Sequence, residues 1–519
     1  MMNMKRFPIL FFSLFALGVT MAMAYEAEID GIYYDFSGTE ATVTYGNPLY
    51  SDNVVIPESV TYNGITYTVT SIGNEAFANC RGLKSVTIPN SVTNIGFEAF
   101  MWCNSLTFVT IPNSVTTIGE EAFLGCGLTS ISIPNGVTNI EARTFEVCYN
   151  LTTIALGDSL TTIGNSAFIG CAGLTSITIP NSVITIGEYA FNDCTSLATV
   201  TIGDKVASIG EEAFHGCSAL DSITIPGSVK TIGKNSFWEC TGLTSVTIDD
   251  GETNIGDLAF FLCTSLTSIT IGDGEKTIGE FAFEYCTNLT SITIPNNVTK
   301  IGWGAFEGCS NLVSVTLPEN MTTIEDDVFR DCSSLLSIAI PESVTTIGSG
   351  VFYGCSSLLD INIPNGVTKI DDYTFIGCSS LTSVTIPNSV TEIGDYAFYK
   401  CYGLTSIYCL AKTPPSIKGT TFKEVDKSFT DLYVPAGTID NYKETEGWKA
   451  FENIMELEAD GIESIHNSCS DDLRKRHYFA DAERTIHNEA DAIYDLSGRR
   501  MVNPKRGVYI QGNKKIIKQ

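Results

Sequence analysis

Apolar and polar positions recur along most of the chain in one short pattern. In the representative stretch LTSITIPNSVITIGEYAFNDC, the apolar Leu174, Ile177 and Ile179 are interleaved with Ser176 and Thr178. β-Branched residues that alternate with hydroxyl residues predict a short strand with one buried face. Proline follows the strand in most units and ends it, because proline has no N–H to donate and a fixed φ.

The second half of the unit predicts a corner that leads into another inward-facing segment. Val183 and Ile186 point inward again, and a glycine follows Ile186. Three units carry Glu141, Glu325 or Asp371 at the position of this glycine. A left-handed backbone would disfavour these acidic residues, so we expect an ordinary negative φ at the corner.

A motif A-F-x-x-C closes the unit and marks fifteen repeats of it. Its cysteine recurs from Cys80 to Cys401 every 23 residues, with one interval of 22 between Cys126 and Cys148. The spacing within the motif predicts a single helical turn with its apolar side inward. A fixed period of this size predicts a β-rich solenoid of about fifteen units, with one long parallel sheet and end caps.

The repeated unit L-x-x-I-x-I-P-x-x-V-x-x-I-G-x-x-A-F-x-x-C resembles the BspA-type leucine-rich repeat of bacterial surface proteins. The resemblance covers about residues 54 to 410. It implies a surface-exposed protein of the Bacteroidetes that acts as an adhesin for host matrix proteins or for other bacteria. The periodicity by itself predicts the architecture and says nothing of a ligand.

The residues outside the repeats predict export and capping. Residues 1–24 have a basic start, a short apolar run and the cleavage pattern Ala22-Met23-Ala24, which is typical of a signal peptide. The predicted segments are the signal peptide at 1–24, an N-terminal β cap with a first imperfect repeat at 25–71, the repeats at 72–410, a C-terminal cap at 411–457, a linker at 458–491 and a β tail at 492–519. In the C-terminal cap we expect a short helix around Tyr442 to Ile454, with Trp448 and Phe451 covering the last coil.

The tail IYDLSGRRMVNPKRGVYIQGNKKIIKQ is basic in a chain whose formal net charge is −29. It resembles the C-terminal sorting domain of the Bacteroidetes type IX secretion route. This resemblance implies recognition by outer-membrane secretion machinery and display at the surface of a Gram-negative bacterium. The alternative is a small basic β-hairpin without such a role.

The cysteines allow two interpretations. Seventeen cysteines in an exported protein suggest disulfides. Equivalent residues of stacked coils point the same way, however, so their Cβ atoms do not converge as a disulfide requires. We therefore predict a ladder of buried free thiols and leave the state of Cys409 and Cys469, which stand outside it, open.

The remaining composition excludes several functional classes. The net charge of −29 argues against nucleic-acid binding, and no segment after the signal peptide is apolar enough to span a membrane. The four histidines form no catalytic or metal-binding motif, so we expect no enzyme, no cofactor and no metal site. Acidic pairs recur near the corners: Glu120-Glu121, Glu211-Glu212, Asp326-Asp327 and Asp371-Asp372. They form either a solvated face or a site that weakly binds a divalent cation or a basic partner.

The outward side of the first strands is the candidate binding face. It is a flat plane rich in hydroxyl groups, which either docks an extended partner or simply suits a solvated sheet. Three positions break its uniformity and are candidates for that reason, namely Phe108, Asp360 and Asn362. The other candidates are Ser176, Thr178, Thr201, Ser222, Thr224, Ser245, Thr247, Ser268 and Thr270.

The sequence thus predicts a secreted, surface-displayed binding module. The expected ligand is a protein of the host extracellular matrix or of a bacterial surface, with a glycan as the second choice. The alternative is a structural scaffold or self-assembling layer protein without a specific ligand.

Overall fold

The computed structural model describes residues 25–457 apart from Glu275, together with the backbone of three short tail strands. Residues 25–457 form a solenoid in which each repeat is one coil, and the strands of neighbouring coils pair in parallel. The predicted fold class is confirmed. The predicted signal peptide, the linker and Cys469 lie outside the described residues.

The first strand of each coil builds a parallel ladder in register. Ser222 pairs with Ser245 and Ser245 with Ser268, so equivalent residues lie side by side. The ladder runs in separate stretches rather than without interruption. Its strands are Asp52–Val55, Leu83–Thr87, Phe108–Thr110, Ser130–Ser132, Thr153–Ala155, Ser176–Thr178, Thr199–Thr201, Ser222–Ile225, Ser245–Ile248, Ser268–Ile271, Ser291–Thr293, Ser314–Thr316, Ser383–Ile386, Ser406–Cys409, Asp431–Val434 and Asn453–Glu456.

A second ladder, which the sequence analysis did not separate from the first, precedes the corner. Its strands have two residues each, and the isoleucine of each strand points into the core. They are Asn94–Ile95, Thr117–Ile118, Asn139–Ile140, Thr162–Ile163, Thr185–Ile186, Ser208–Ile209, Thr231–Ile232, Asn254–Ile255, Thr277–Ile278, Lys300–Ile301, Thr323–Ile324, Thr346–Ile347, Lys369–Ile370, Glu392–Ile393 and Ser416–Ile417.

The corner glycine permits this second ladder by its lack of a side chain. We predicted an ordinary negative φ at the corner, and none of the corner glycines or their three acidic replacements has a positive φ. The N–H of Gly187 donates to Ile163 O at 2.8 Å, and a Cβ on Gly187 would lie 2.6 Å from Asn165 Oδ1 and 2.7 Å from the Asn165 backbone nitrogen. Close approach of two backbones, rather than φ, therefore selects glycine.

The second ladder is interrupted at three places in the repeats, and each interruption coincides with an acidic replacement. The strands ending at Ile140, Ile324 and Ile370 do not pair with the preceding coil. The residues that follow them are Glu141, Glu325 and Asp371. Because a side chain at this position meets the backbone of the preceding coil, the two coils separate and the ladder bond is lost.

The predicted helical turn at A-F-x-x-C is wrong, because the segment forms consecutive β-turns. Cys80 N donates to Phe77 O at 3.1 Å, a turn bond, and Asn79 within that turn has a φ of 60°. Phe77 N donates instead to Ala99 O of the next coil at 2.7 Å. Backbone N–H groups that would bond within a helix therefore donate to carbonyl groups of the next coil instead.

The core is a stack of identical side chains. Ring centroids of successive motif phenylalanines are 5.0 to 6.0 Å apart, with ring planes within 12° of each other. Each thiol from Cys103 to Cys401 donates to the carbonyl of the phenylalanine in the coil before it, as from Cys240 Sγ to Phe214 O at 3.2 Å. All sixteen described cysteines are free and buried, which agrees with the predicted thiol ladder.

The two ends close the stack with different elements. The N-terminal strands are Ala27–Ile29, Ile32–Ser37, Glu40–Val43, Ser59–Tyr62 and Ile65–Ile72. The C-terminal cap contains the predicted short helix, but it spans Ile439–Glu444 rather than Tyr442 to Ile454. A 3-10 turn spans Trp448–Ala450, and Asn453–Glu456 adds a strand to the first ladder. Trp448 is fully buried and its Nε1 donates to Pro415 O at 2.8 Å.

The backbone of the tail forms a three-stranded antiparallel sheet. Its strands are Ile493–Tyr494, Gly507–Gln511 and Lys514–Lys518. The tail was expected to form a β structure, and these three strands agree with that expectation.

Candidate binding surfaces

The outward side of the first strands, the sheet face, brings most of the candidate residues together. All of them are exposed or half-buried and lie on the sheet that runs from Ser176–Thr178 to Ser268–Ile271. They are Ser176, Thr178, Thr201, Ser222, Thr224, Ser245, Thr247, Ser268 and Thr270. The hydroxyl plane is therefore real, and it is continuous over five coils.

The three exceptional candidates lie elsewhere. Phe108 is 58% exposed and sits on a separate sheet, beside the gap left by the 22-residue unit. Asp360 and Asn362 are half-buried in a coil without a first strand, where Asn362 forms only a single bridge to Thr385. The structure thus does not unite these three residues with the hydroxyl plane or with one another.

A second surface, the turn face, is formed by the two residues after the corner and the two residues after the motif phenylalanine. Its side chains change from coil to coil. The first position after the phenylalanine is occupied in successive coils by Glu146, Ile169, Asn192, His215, Trp238, Phe261, Glu284, Glu307, Arg330, Tyr353, Ile376 and Tyr399.

The acidic pairs lie on this turn face and do not form one continuous stripe. The coils between Glu120-Glu121 and Glu211-Glu212 carry Ala142-Arg143, Asn165-Ser166 and Glu188-Tyr189 at these positions, so none of them has an acidic pair. Several corner carboxylates and amides have a structural partner: Asp326 Oδ1 accepts from Ser349 N at 2.8 Å, and Asp372 Oδ1 accepts from Asp395 N at 2.6 Å. Their first role is therefore to tie one coil to the next.

An aromatic cluster on the turn face escaped the sequence analysis. We call it the aromatic strip and define it as Trp238, Phe261, Phe281, Tyr285 and Trp303. The ring centroids of Trp238 and Phe261 are 5.5 Å apart, those of Phe261 and Tyr285 6.1 Å, and those of Phe281 and Trp303 5.3 Å. The signal was present at the variable positions of A-F-x-x-C and at the two positions after the corner glycine, but it becomes visible only when these positions are compared across the repeats.

The two most exposed members of the strip are Tyr285 at 42% and Trp303 at 47%. The rings of Phe281 and Tyr285 reach over glycines of the next coil, where a Cβ on Gly304 or Gly308 would lie 2.5 Å from a ring carbon. Glycine in one coil thus makes room for an aromatic ring from the coil before it.

Carboxylates accompany the aromatic strip. Glu239 and Glu280 are exposed, and Glu284 is half-buried. Burial, followed by the neighbouring charge of Glu307, raises the pKa of Glu284 to about 7. A carboxyl group whose charge is disfavoured in this way would gain from a nearby cation.

A second aromatic cluster lies toward the C-terminal end of the turn face and already contains its own cations. Tyr373 and Tyr396 stack at 6.0 Å. Lys423 Nζ lies 5.7 Å from the ring centroid of Tyr396, and Lys400 Nζ lies 5.1 Å from that of Tyr399. The two aromatic clusters therefore differ in the charge of their surroundings.

The described residues offer little else for chemistry. His215 is half-buried, with its Nδ1 3.1 Å from Asn192 Nδ2 and its ring centroid 5.2 Å from that of Trp238. His466, His477 and His487 lie outside the described residues. Within residues 25–457 no cluster of three or more His, Cys, Asp or Glu residues could hold a metal ion.

The thiols of the core have the character of structural groups. Burial raises the pKa of Cys240 and Cys309 to about 12. A thiol that stays protonated at neutral pH is a poor nucleophile and a poor metal ligand. None of the helices in the described part of the chain has the length and apolar character needed to cross a membrane.

Comparison with known proteins gives a consistent result. Residues 70–197, 161–290 and 276–405 match the family described as BspA type leucine rich repeat region. A leucine-rich repeat protein from Bacteroides ovatus is 31% identical, with a TM-score of 0.59, over 79% of this chain and all of that one. No curated protein matches the chain.

Two further solved structures are similar in sequence over most of their length. A leucine rich cell surface protein from Faecalibacterium prausnitzii is 25% identical over 83% of this chain and 95% of that one, with a TM-score of 0.28. A leucine-rich repeat protein from Eubacterium ventriosum is 22% identical over 75% of this chain and 96% of that one, with a TM-score of 0.38.

Proposed function

Because the chain belongs to the BspA-type leucine-rich repeat family, we propose that it is a secreted, surface-displayed binding module that acts as an adhesin. Its ligand is a protein of the host extracellular matrix or of another cell's surface, and a glycan is the second choice. The proposal includes no catalytic role and no cofactor.

One observation carries this proposal: the core repeats almost without change while the turn face does not. The stacked phenylalanines, leucines and thiols are the same from coil to coil. Trp238, Phe261, Glu284 and Arg330 occupy one equivalent outward position in four different coils. A rigid scaffold that displays a non-repeating row of side chains has what specific recognition requires.

The mechanism follows from rigidity. Turn-to-turn bonds such as Phe77 N to Ala99 O and the stacking of the core tie each coil to the next, and ladder bonds add to them at most junctions. A surface held in this way loses little conformational freedom on binding, so weak contacts along its length add up to useful affinity.

The scaffold alternative rests on a different surface. The hydroxyl-rich sheet face is flat and nearly uniform over five coils, from Ser176–Thr178 to Ser268–Ile271. Such a face presents the same groups at many positions and therefore suits repeated self-association. Concentration-dependent assembly without any ligand would favour this alternative.

Display at the cell surface depends on the two ends of the chain. We propose that residues 1–24 direct export and that the tail at 492–519 is an address for the outer-membrane secretion machinery. Deletion of residues 492–519 should trap the protein in the periplasm. Unchanged display of the shortened protein would remove the tail from the proposal.

The adhesin proposal is tested by a binding screen. The full chain, purified, is presented to immobilised matrix proteins, mucin and whole bacterial cells at physiological and at high salt. A saturable response on one of these surfaces supports the adhesin. Self-association with no response on any surface would replace it with the scaffold.

A further inference from the structure

The middle of the turn face places aromatic rings beside carboxylates that have no cationic partner. Among the described residues, no lysine or arginine forms an ion pair with Glu239, Glu280 or Glu284. These residues lie in the same coils as Trp238, Phe281 and Tyr285 or in adjacent ones. A cation bound here would contact the aromatic rings and would also be attracted by the carboxylates.

Several large side chains of this region stand on left-handed backbone. Leu258, Leu262, Phe281 and Tyr285 all have φ between 55° and 58°, in the left-handed region. Equivalent positions hold glycine in several coils, as at Gly304 in the coil that follows, and bulky residues in others, such as Trp102 and Tyr189. Bulky residues are disfavoured there, so the chain retains apolar side chains against a local conformational penalty.

The adjacent coil already shows how such a surface holds a guanidinium group. Arg330 Nη1 lies 3.3 Å from Asp327 Oδ1, and Arg330 Nε lies 3.6 Å from Glu307 Oε1. The Cζ of Arg330 is 4.3 Å from the ring centroid of Tyr353. An arginine of the protein itself is therefore clamped between carboxylates and an aromatic ring on this face. The neighbouring strip also has rings and carboxylates, but no arginine in the described part of the chain is paired with Glu239, Glu280 or Glu284.

We propose that the aromatic strip, with Glu239, Glu280 and Glu284, binds an extended, arginine-containing segment of a protein ligand. This inference rests on the proposed binding function and names the partner class and the surface. Charge complementarity favours a basic segment, since Glu239, Glu280 and Glu284 have no ion-pair partner among the described residues, whereas the tyrosine cluster near Tyr396 already contains Lys400 and Lys423.

The spacing of the strip fits an extended polypeptide. Successive rings along the strip are 5.5 and 6.1 Å apart from Trp238 to Tyr285. Alternate side chains of an extended segment are roughly 6.6–6.8 Å apart on one face. Phe261 meets Trp238 and Tyr285 edge to face, so a segment that runs along the solenoid axis can bring alternate arginines to successive coils of the strip without stacking on every ring. Arginine is preferred over lysine because its planar guanidinium stacks on rings and pairs with carboxylates at the same time.

The test uses the full chain and three synthetic peptides: an arginine hexapeptide, a lysine hexapeptide and a glutamate hexapeptide. Affinity is measured by calorimetry and by tryptophan fluorescence, because Trp238 and Trp303 both lie in the strip. We expect the arginine peptide to bind at least about tenfold more tightly than the lysine peptide. The glutamate peptide should not bind.

Two variants locate the site. The double substitution Tyr285→Ser with Trp303→Ser should lower the affinity for the arginine peptide at least about tenfold. Glu284→Gln should lower this affinity severalfold. The matched control is Tyr149→Ser, which removes a 62% exposed ring from a distant coil and should leave affinity unchanged. Circular dichroism of each variant establishes that the fold persists.

Three outcomes would overturn the inference: equal affinity of the double variant and the parent chain, equal affinity for arginine and lysine peptides, or displacement of the arginine peptide by a neutral oligosaccharide. The peptide assay is independent of the ligand screen. A screen without any hit contradicts the adhesin proposal even if the arginine peptide binds. If a matrix ligand binds the double variant as tightly as the parent chain, the adhesin proposal stands but the strip is not its binding site.

Discussion

The sheet face and the turn face belong to the same coils but carry different information. On the sheet face, Thr224, Thr247 and Thr270 stand in register in consecutive strands, and the column scarcely changes over five coils. On the turn face, His215, Trp238 and Phe261 occupy equivalent positions in three consecutive coils. A uniform face cannot distinguish one coil from another, so recognition of a particular ligand is more readily encoded on the turn face.

The difference has a physical cause. Neighbouring residues of a parallel ladder lie roughly 4.8 Å apart, so bulky or like-charged side chains would crowd or repel their equivalents in the next coil. On the turn face an aromatic ring can be followed by a glycine, as Tyr285 is by Gly308. Alternation of large and small residues relieves crowding there, and it gives freedom to vary.

The largest expected effect comes from the core that both faces share. Phe214→Ala removes a fully buried ring that stacks on Phe191 and Phe237 at 5.1 and 5.2 Å. It should lower the free energy of unfolding by about 3–5 kcal/mol. Urea unfolding followed by circular dichroism measures this loss, and a change below about 1 kcal/mol would show that the stack is not the main source of stability.

The corner glycine should come next in magnitude. In Gly233→Glu, the new Cβ would lie 2.5 Å from the backbone of Gly210, and the bond from Gly233 N to Ile209 O would be lost. We expect destabilisation by about 1–3 kcal/mol, measured as for the core variant.

The control for the corner substitution is already present in the chain. Glu325 occupies the equivalent position where the second ladder is interrupted. Glu325→Gly should therefore be neutral or stabilising. If it destabilised the protein as much as Gly233→Glu does, the link between corner glycine and ladder pairing would be wrong.

A smaller effect is expected from Glu284 on the turn face. Its pKa is raised to about 7 from an ordinary 4.5, so the ionised carboxyl is disfavoured in the folded state. The contribution of the neutral carboxyl to the free energy of unfolding is fully present below pH 4.5 and is lost as the pH rises toward 7, because the folded state disfavours the ionised group. Glu284→Gln should stabilise the protein above pH 7, by on the order of 1 kcal/mol after allowance for solvent screening.

The measurement for Glu284 is a pair of urea midpoints, one below and one above this pH window, for the parent and the variant. The advantage of Glu284→Gln should be confined to the higher pH. An equal difference between the two proteins at both pH values would contradict the shifted pKa.

The smallest effect is expected on the sheet face. Thr247→Val replaces a half-buried hydroxyl for which the structure gives no side-chain hydrogen bond with a residue of the same shape and good strand propensity. The change in stability should stay within about 0.5 kcal/mol. A loss above about 1 kcal/mol would show that the hydroxyl column is needed for folding rather than merely compatible with it.

The sequence was most informative where every coil obeys the same rule. The period, the inward isoleucines and the thiol ladder from Cys80 to Cys401 follow from one unit and its repetition. The helical turn at A-F-x-x-C was mispredicted because local spacing does not reveal that Phe77 N bonds to the next coil. The interruptions at Glu141 and Glu325 were noticed as substitutions, but their effect depends on a backbone approach that no single unit shows.

The candidate site was predicted less well for a related reason. The hydroxyl plane from Ser176 to Thr270 was found because it is regular. The aromatic strip consists of deviations at variable positions, such as Trp238 and Tyr285, which have meaning only when the coils are stacked. Regularity is visible along the chain, whereas a non-repeating surface appears only in three dimensions.

The most direct test of the account compares the two faces in one binding assay with the ligand identified by the screen. One protein carries Tyr285→Ser and Trp303→Ser on the turn face, and the other carries Thr224→Val and Thr247→Val on the sheet face. The account predicts at least about a tenfold loss of affinity for the first and no change for the second. Loss of affinity in the sheet-face variant, with the turn-face variant unaffected, would contradict it.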